Sequence, residues 1–120
     1  MKVAVTTSDK GLDAPVDPRF GRAPCFVFVD VDTMEAETVE NENVTAPGGA
    51  GPQAAQLVAD KQAEVVLTGN CGPNAYRTLR AAGIQVVVGV EGTAREAVEK
   101  FNSGEYAPSD DANVDAKFGI

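Results

Sequence analysis

Residues 64–89 read EVVLTGNCGPNAYRTLRAAGIQVVVG, and this stretch decides the fold. Residues 64–68 (EVVLT) are a short β-branched apolar run, the pattern of a buried strand. Gly69-Asn70-Cys71-Gly72 breaks it. Pro73 suits the first position of a helix, where its missing N–H would be unpaired anyway. Ala75, Leu79 and Ala82 then fall on one helical face, and Gly83 is a natural C-terminal stop. Residues 84–88 (IQVVV) are a second apolar strand. Strand, helix and strand in so short a span predict a right-handed parallel crossover. The loop at 69–72 therefore opens a helix N-terminus at the carboxyl edge of a parallel sheet, where ligands bind in open α/β folds.

Five further elements surround this unit. Upstream, residues 2–7 (KVAVTT) predict β1 and residues 25–29 (CFVFV) predict β2. A turn at Asp32-Thr33 leads into a more polar β3 at about 35–41, whose acids suit a solvated edge of an antiparallel hairpin. The connection 8–24 (SDKGLDAPVDPRFGRAP) is irregular, broken by Gly11, Gly21, Pro15, Pro18 and Pro24. Connections of that length in small domains often carry function. A second irregular loop, 43–52 (NVTAPGGAGP), ends at Pro52. That proline is expected to start α1, which runs to about Gln62 with Ala54, Ala55, Leu57 and Val58 facing the sheet. The central unit supplies β4, α2 and β5. Thr93-x-x-Glu96 is a capping box that opens α3, with Ala94, Ala97, Val98 and Phe101 inward and an end near Gly104. The expected order is β1-β2-β3-α1-β4-α2-β5-α3, a mixed five-stranded α/β sheet with β2 antiparallel. Residues 1–104 form the expected domain, and 105–120 an acidic, loosely ordered tail.

Composition removes several function classes. The chain of 120 residues contains no histidine, which excludes histidine triads and histidine-ligated zinc. A net charge of −8 argues against nucleic acid as a partner. There is no apolar run long enough to span a membrane and no leader pattern, since Met1-Lys2 leads into a strand. Cys25 and Cys71 make no disulfide framework, so a reducing cytoplasmic setting is expected. A hydrolase is also disfavoured. Ser8 has no histidine base, and no carboxylate ends β4 to join Asp9 in a metal-dependent nuclease. The protein is not expected to be an enzyme.

Strand direction brings the loops together. If β2 is antiparallel to β1 and β3 to β2, then residues 8–24, the glycines before Pro52 and the 69–73 loop meet at one edge. Two of these loops open helix N-termini, which attract anions through unpaired N–H groups and a partial positive charge. Gly48, Gly49, Gly51, Gly69 and Gly72 allow close approach to the backbone. Arg19 and Arg22 add guanidinium forks. The glycine-rich loop is not a Walker A loop, for no Gly-Lys-Ser/Thr follows it, and there is no GxGxxG fingerprint. Each glycine also serves as an ordinary turn or helix entry. Cys71, beside a helix start, is a candidate low-pKa thiolate and soft metal ligand as much as a core residue, while Cys25 reads first as a small buried hydrophobe opening a core strand and only second as a metal ligand. Two thiolates alone close no four-coordinate site, so any metal would arrive as a preformed cluster.

Several blocks together carry a family likeness. Asp17-Pro18-Arg19-Phe20-Gly21-Arg22-Ala23, Gly49-Ala50-Gly51-Pro52-Gln53, Leu67-Thr68-Gly69-Asn70-Cys71-Gly72-Pro73-Asn74-Ala75, Ala82-Gly83-Ile84 and Gly92-Thr93 resemble, in the same order, the dinitrogenase iron–molybdenum cofactor biosynthesis family. The resemblance covers residues 1–104. It implies a ribonuclease H-like fold without nuclease chemistry, and binding of metal–sulfur clusters or their precursors. The chain is most similar to small free-standing members, including the orange-protein type associated with a molybdenum–copper sulfide cluster. Some nitrogenase-linked members carry histidine in the block matching residues 19–23. Here both such positions are arginine, which favours holding an anion over coordinating a metal. Ligand roles for Cys25 and Cys71 are not implied by the resemblance.

The expected function is to carry or scaffold a preformed anionic metal–sulfur cluster of molybdenum or iron, with or without copper, at the carboxyl edge. Arg19 and Arg22 would balance its charge. The segment with Phe20 and Gly21, the amides of Gly49, Ala50, Gly51 and Gln53, and those of Asn70, Cys71, Gly72 and Asn74 would line it. Cluster donor or acceptor proteins are the expected partners. Two alternatives stand beside this: a phosphorylated-metabolite-binding enzyme or sensor using the same helix ends, and an acidic protein-interaction module.

Overall fold

A computed structural model of the chain describes residues 1–42 and 50–108. The strands are β1 (Lys2–Thr7), β2 (Cys25–Asp30), β3 (Ala36–Glu40), β4 (Val65–Leu67) and β5 (Gln85–Val87), and the helices are α1 (Ala50–Asp60), α2 (Pro73–Ala81) and α3 (Ala94–Asn102). The sheet order is β3-β2-β1-β4-β5. β2 runs antiparallel to both its neighbours, while β4 is parallel to β1 and β5 to β4. The mixed five-stranded sheet with β2 reversed is therefore as expected from the hairpin and the crossover.

Alternation along the strands sorts the core onto two faces. Phe26, Phe28, Ala4, Val66 and Val86 meet Ala54, Ala55 and Val58 of α1 and Ala75 and Leu79 of α2 on one side. Val3, Val5, Val27, Val29, Val65 and Leu67 meet Ala94, Ala97 and Val98 of α3 on the other. β1 is buried on both sides because it is central, which is why its sequence is apolar without alternation. Full burial of a side chain such as Phe26 or Leu67 contributes roughly 1.5–3 kcal/mol.

Element boundaries differ from the expected ones in instructive places. α1 begins at Ala50, not Pro52, so Pro52 sits in the first turn, where no intrahelical N–H is needed. Ala50 and Gly51 are thus buried helix residues rather than loop residues. Ala82 is exposed and follows α2 as its C-cap, so the inward stripe of that helix is Ala75 and Leu79 alone. Leu57 and Phe101 are only partly covered. The capping box of α3 forms as expected: the Glu96 amide donates to Thr93 Oγ1 at 3.2 Å and the Thr93 amide to Glu96 Oε1 at 3.0 Å. The start of the supposed loose tail is tied down. The Glu105 amide donates to the Lys100 carbonyl, and Tyr106 packs against the α3-side core. The remainder of the tail, 109–120, lies outside the described residues.

Candidate functional site

The carboxyl ends of β1 and β4 are joined by a buried polar chain. Thr6 Oγ1 and Thr68 Oγ1 are 2.8 Å apart, and Thr6 Oγ1 donates to the Asp17 carbonyl at 2.8 Å. The single Thr6 proton is thereby used, so Thr68 is the donor of the pair. Both threonines are fully buried, where an unpaired hydroxyl would be costly. The Asp17 amide returns a bond to the Thr6 carbonyl at 2.8 Å. Loop 8–24 is thus stitched to the end of β1.

From there the loop runs along the turn before α2. Arg19 bridges Asn70, the Phe20 amide donates to the Asn70 carbonyl at 3.2 Å, and Asn70 Nδ2 donates to the Pro18 carbonyl at 3.1 Å. The backbones lie so close that a Cβ on Gly69 would stand 2.6 Å from Pro18 Cα. Three residues on from Pro18, a Cβ on Gly21 would stand 2.9 Å from the backbone of Gly51 in the first turn of α1. Glycine is needed at both contacts because backbone atoms cannot move aside as a side-chain tip can. Buried Asn41, just past β3, closes the arrangement: its Nδ2 donates to the Gly21 carbonyl at 3.1 Å and the Ala23 carbonyl at 2.9 Å. The Arg19–Arg22 segment therefore lies between the N-terminal turn of α1 and the entry to α2. That is the convergence expected from strand direction.

This junction is built from the blocks that carried the family likeness, and the match to known proteins agrees. Residues 1–104 match the family model described as dinitrogenase iron-molybdenum cofactor. The chain belongs to that family. It is 47% identical to the orange protein from Desulfovibrio gigas, whose apo structure superposes with a TM-score of 0.92 over 94% of this chain and 96% of that one. A Thermotoga protein provisionally assigned as NifB is 34% identical, with a TM-score of 0.78 over 89% of this chain and 91% of the other. An uncharacterized protein of Methanocaldococcus jannaschii is 28% identical over 108 residues, 88% of each chain.

In this family member the expected site residues take different places. Arg19 stays half exposed, its Nε 3.5 Å from Asp17 Oδ1. Arg22 is half-buried and engaged with neighbours. Phe20 requires correction as a lining residue: its ring is fully buried, 5.6 Å from that of Phe26, so only its backbone stands at the edge. Gly21 is the buried contact to α1, and Ala50 and Gly51 are the other side of that contact. Gln53 and Asn74 are exposed in the first turns of α1 and α2. Gly72 is the N-cap of α2 and supplies no side-chain cap, nor is there an acid in that first turn. The Asn74 and Ala75 amides have no acceptor within the helix by their position. Asn70 is occupied in fastening Pro18 and Phe20. Gly48 and Gly49 lie outside the described residues.

The cysteines do not form a ligand pair. Cys71 is fully buried in the core cluster with Phe20, Phe26 and Ala54. Burial pushes its thiol up to about 12, against the lowered value expected beside a helix start. Desolvation is the cause. Cys25 is also buried, and its thiol is raised by burial first and then by the Glu40 and Asp9 carboxylates. It shares the parity of Val27 and Val29, on the α3 face, whereas Cys71 lies on the α1–α2 face. Among the described residues no group of three or more Cys, Asp or Glu is placed to hold a metal ion. Among the described residues the donor set thus fits a cluster held through N–H groups and guanidinium, and does not fit direct coordination.

Two surface depressions, about 250 and 280 Å³, flank β3 instead. Glu40 and Glu42 line the first, and Asp30, Glu35 and Glu37 outnumber Lys2 in the second, so acids predominate in both. No described helix is long and apolar enough to cross a membrane. Sequence reasoning missed Asp17 and Asn41 as organisers of the edge. The Asp-Pro-Arg order was a usable signal, since aspartate before a turn caps the amide two residues on.

Proposed function

We propose that this protein binds and carries a preformed, anionic metal–sulfur cluster of molybdenum or iron, with or without copper, at the carboxyl edge of its sheet. It acts as a cytoplasmic carrier or scaffold rather than an enzyme, and exchanges its cargo with donor or acceptor proteins. Its fold is ribonuclease H-like in this proposal, on the strength of the β3-β2-β1-β4-β5 order with β2 reversed. Support for cluster cargo comes from the family match and from a relative whose structure is an apo form. One observation carries the reading: Arg19–Arg22 is clamped between the first turn of α1 and the entry to α2, through Gly21 against Gly51 and Gly69 against Pro18.

The chemistry follows from what the edge offers. A polysulfido-metalate brings its own sulfides and spreads several negative charges over them. It therefore needs donors and positive potential, not further ligands. Arg19 and Arg22 provide charge-assisted donors, and the first-turn amides of α2 add partial positive charge. The cysteines, held protonated by burial, take no part.

The test is anaerobic reconstitution with tetrathiomolybdate plus copper or iron. Retention of a visible charge-transfer band by the protein fraction is expected; a colourless protein would sink the proposal. Charge-assisted hydrogen bonds contribute roughly 1.5–3 kcal/mol each. Arg19→Ala with Arg22→Ala should therefore weaken retention about tenfold or more, with the fold intact. Specific stabilisation by a nucleotide or phosphosugar, without cluster uptake, would replace this proposal with the metabolite-sensor one.

A further inference from the structure

An anion receptor that keeps a buried carboxylate against one of its own arginines is working against its charge. Asp17 does this. Its side chain is 6% exposed and that of Arg19 54%. Asp17 Oδ1 accepts the Arg19 amide at 2.9 Å and lies 3.5 Å from Arg19 Nε, while Oδ2 accepts the Ser8 hydroxyl at 3.3 Å. Its own backbone is bonded in both directions to Thr6, which is paired with Thr68. The residue between, Pro18, is the one seated on Gly69 and held by Asn70. The hydrogen bonds among these contacts fix direction, and the negative charge lowers the local positive potential that attracts an anion.

We infer that Asp17 is a positioning residue for the anionic cargo: it fixes the backbone and guanidinium of Arg19 at the entry to α2, giving up electrostatic attraction in exchange for a defined hydrogen-bonding direction. The consequence is a preference for cargo of matching shape over anions in general. A small spherical anion gains chiefly from potential, whereas an extended metal–sulfide cluster gains from donors held at fixed spacing. The inference rests on the cluster-carrying proposal above.

Two substitutions separate place from charge. Asp17→Asn keeps an acceptor oxygen for the Arg19 amide, lets the new amide donate to Ser8, and removes the charge. Asp17→Glu keeps the charge and displaces it by one methylene. Each full-length variant is titrated with tetrathiomolybdate plus copper(I), following the visible circular dichroism of the bound cluster and the hydrogen exchange of the Arg19 amide. Asp17→Asn should retain cluster at least as well as the parent, with an unchanged dichroism band and a slow Arg19 amide. It should also bind simple sulfate more tightly. Asp17→Glu should lose retention about tenfold, alter the band and speed Arg19 exchange about tenfold. A purely structural role would lower thermal stability in both variants and leave the band of the bound fraction unchanged, which overturns the inference. Loss in Asp17→Asn with retention in Asp17→Glu also overturns it, because the charge itself would then be required. If the parent chain takes up no tetrathiomolybdate, the cluster proposal fails and this inference falls with it. If the parent loads and Asp17→Glu loads equally, only the positioning role falls.

Discussion

Cys71 shows how burial settles the role of a single residue. A thiol beside a helix start invites a thiolate reading, yet Cys71 is fully covered by core side chains and its thiol is pushed up to about 12. The folded chain therefore holds its proton where the unfolded chain, near the ordinary value of 9.0, has released it. Between those values the unfolded state binds fewer protons, so stability falls as pH rises, by up to about 1.4 kcal/mol per pH unit. Denaturant midpoints measured from pH 8 to 11 should decline, and the decline should be smaller in Cys71→Ala. A flat profile in the parent would show that the thiol is not desolvated. Phe20 carries the same lesson: a residue inside a ligand-like motif is held there by the Phe26 ring and supplies only its backbone to the edge.

At the level of elements, the helix starts differ in what completes them. α3 begins with its own reciprocal cap between Thr93 and Glu96, whereas α2 begins at Gly72 with no side-chain cap. In α3 the box takes the Thr93 and Glu96 amides and the Ala14 and Leu12 carbonyls take those of Ala94 and Arg95, whereas a helix without such partners leaves its first-turn amides to be satisfied from outside. Thr93→Ala should therefore cost about 1 kcal/mol of stability, read as a lower denaturant midpoint, with cluster retention unchanged. Loss of retention in that variant would mean that the edge depends on α3 as well. The capping box and the Pro73 helix start were legible in the sequence because each is a local pattern. The two-residue extension of α1 to Ala50 was not, because it is the contact of Gly51 with Gly21, thirty residues away in the chain, that buries that turn.

For the whole molecule, charge acts in opposite senses on folding and on cargo. The chain carries 18 acidic and 10 basic residues, a net −8, yet the edge presents two arginines and helix N-termini. Raising ionic strength from about 0.01 to about 0.5 M shortens the screening length from roughly 30 Å to a few ångströms. The melting temperature should rise as the acids of β3 and its turn are screened from one another, while cluster retention weakens. Retention that does not change with salt would point to covalent coordination. The order of strands and helices, the reversed β2 and the meeting of loop 8–24 with the starts of α1 and α2 at one edge followed from the sequence alone, because apolar period, turn chemistry and the handedness of crossovers are properties of short segments. Which side chains face a ligand there did not follow. Arg19, Phe20, Asn70 and Cys71 read alike as members of one motif, and only the tertiary structure divided them into a half-exposed cation, a core ring, a fastening amide and a buried thiol. The same holds for Asp17 and Asn41, whose partners come from Thr6, Ser8, Gly21 and Ala23. Burial and long-range hydrogen bonds depend on what the rest of the chain brings to each residue, and no short segment contains that information.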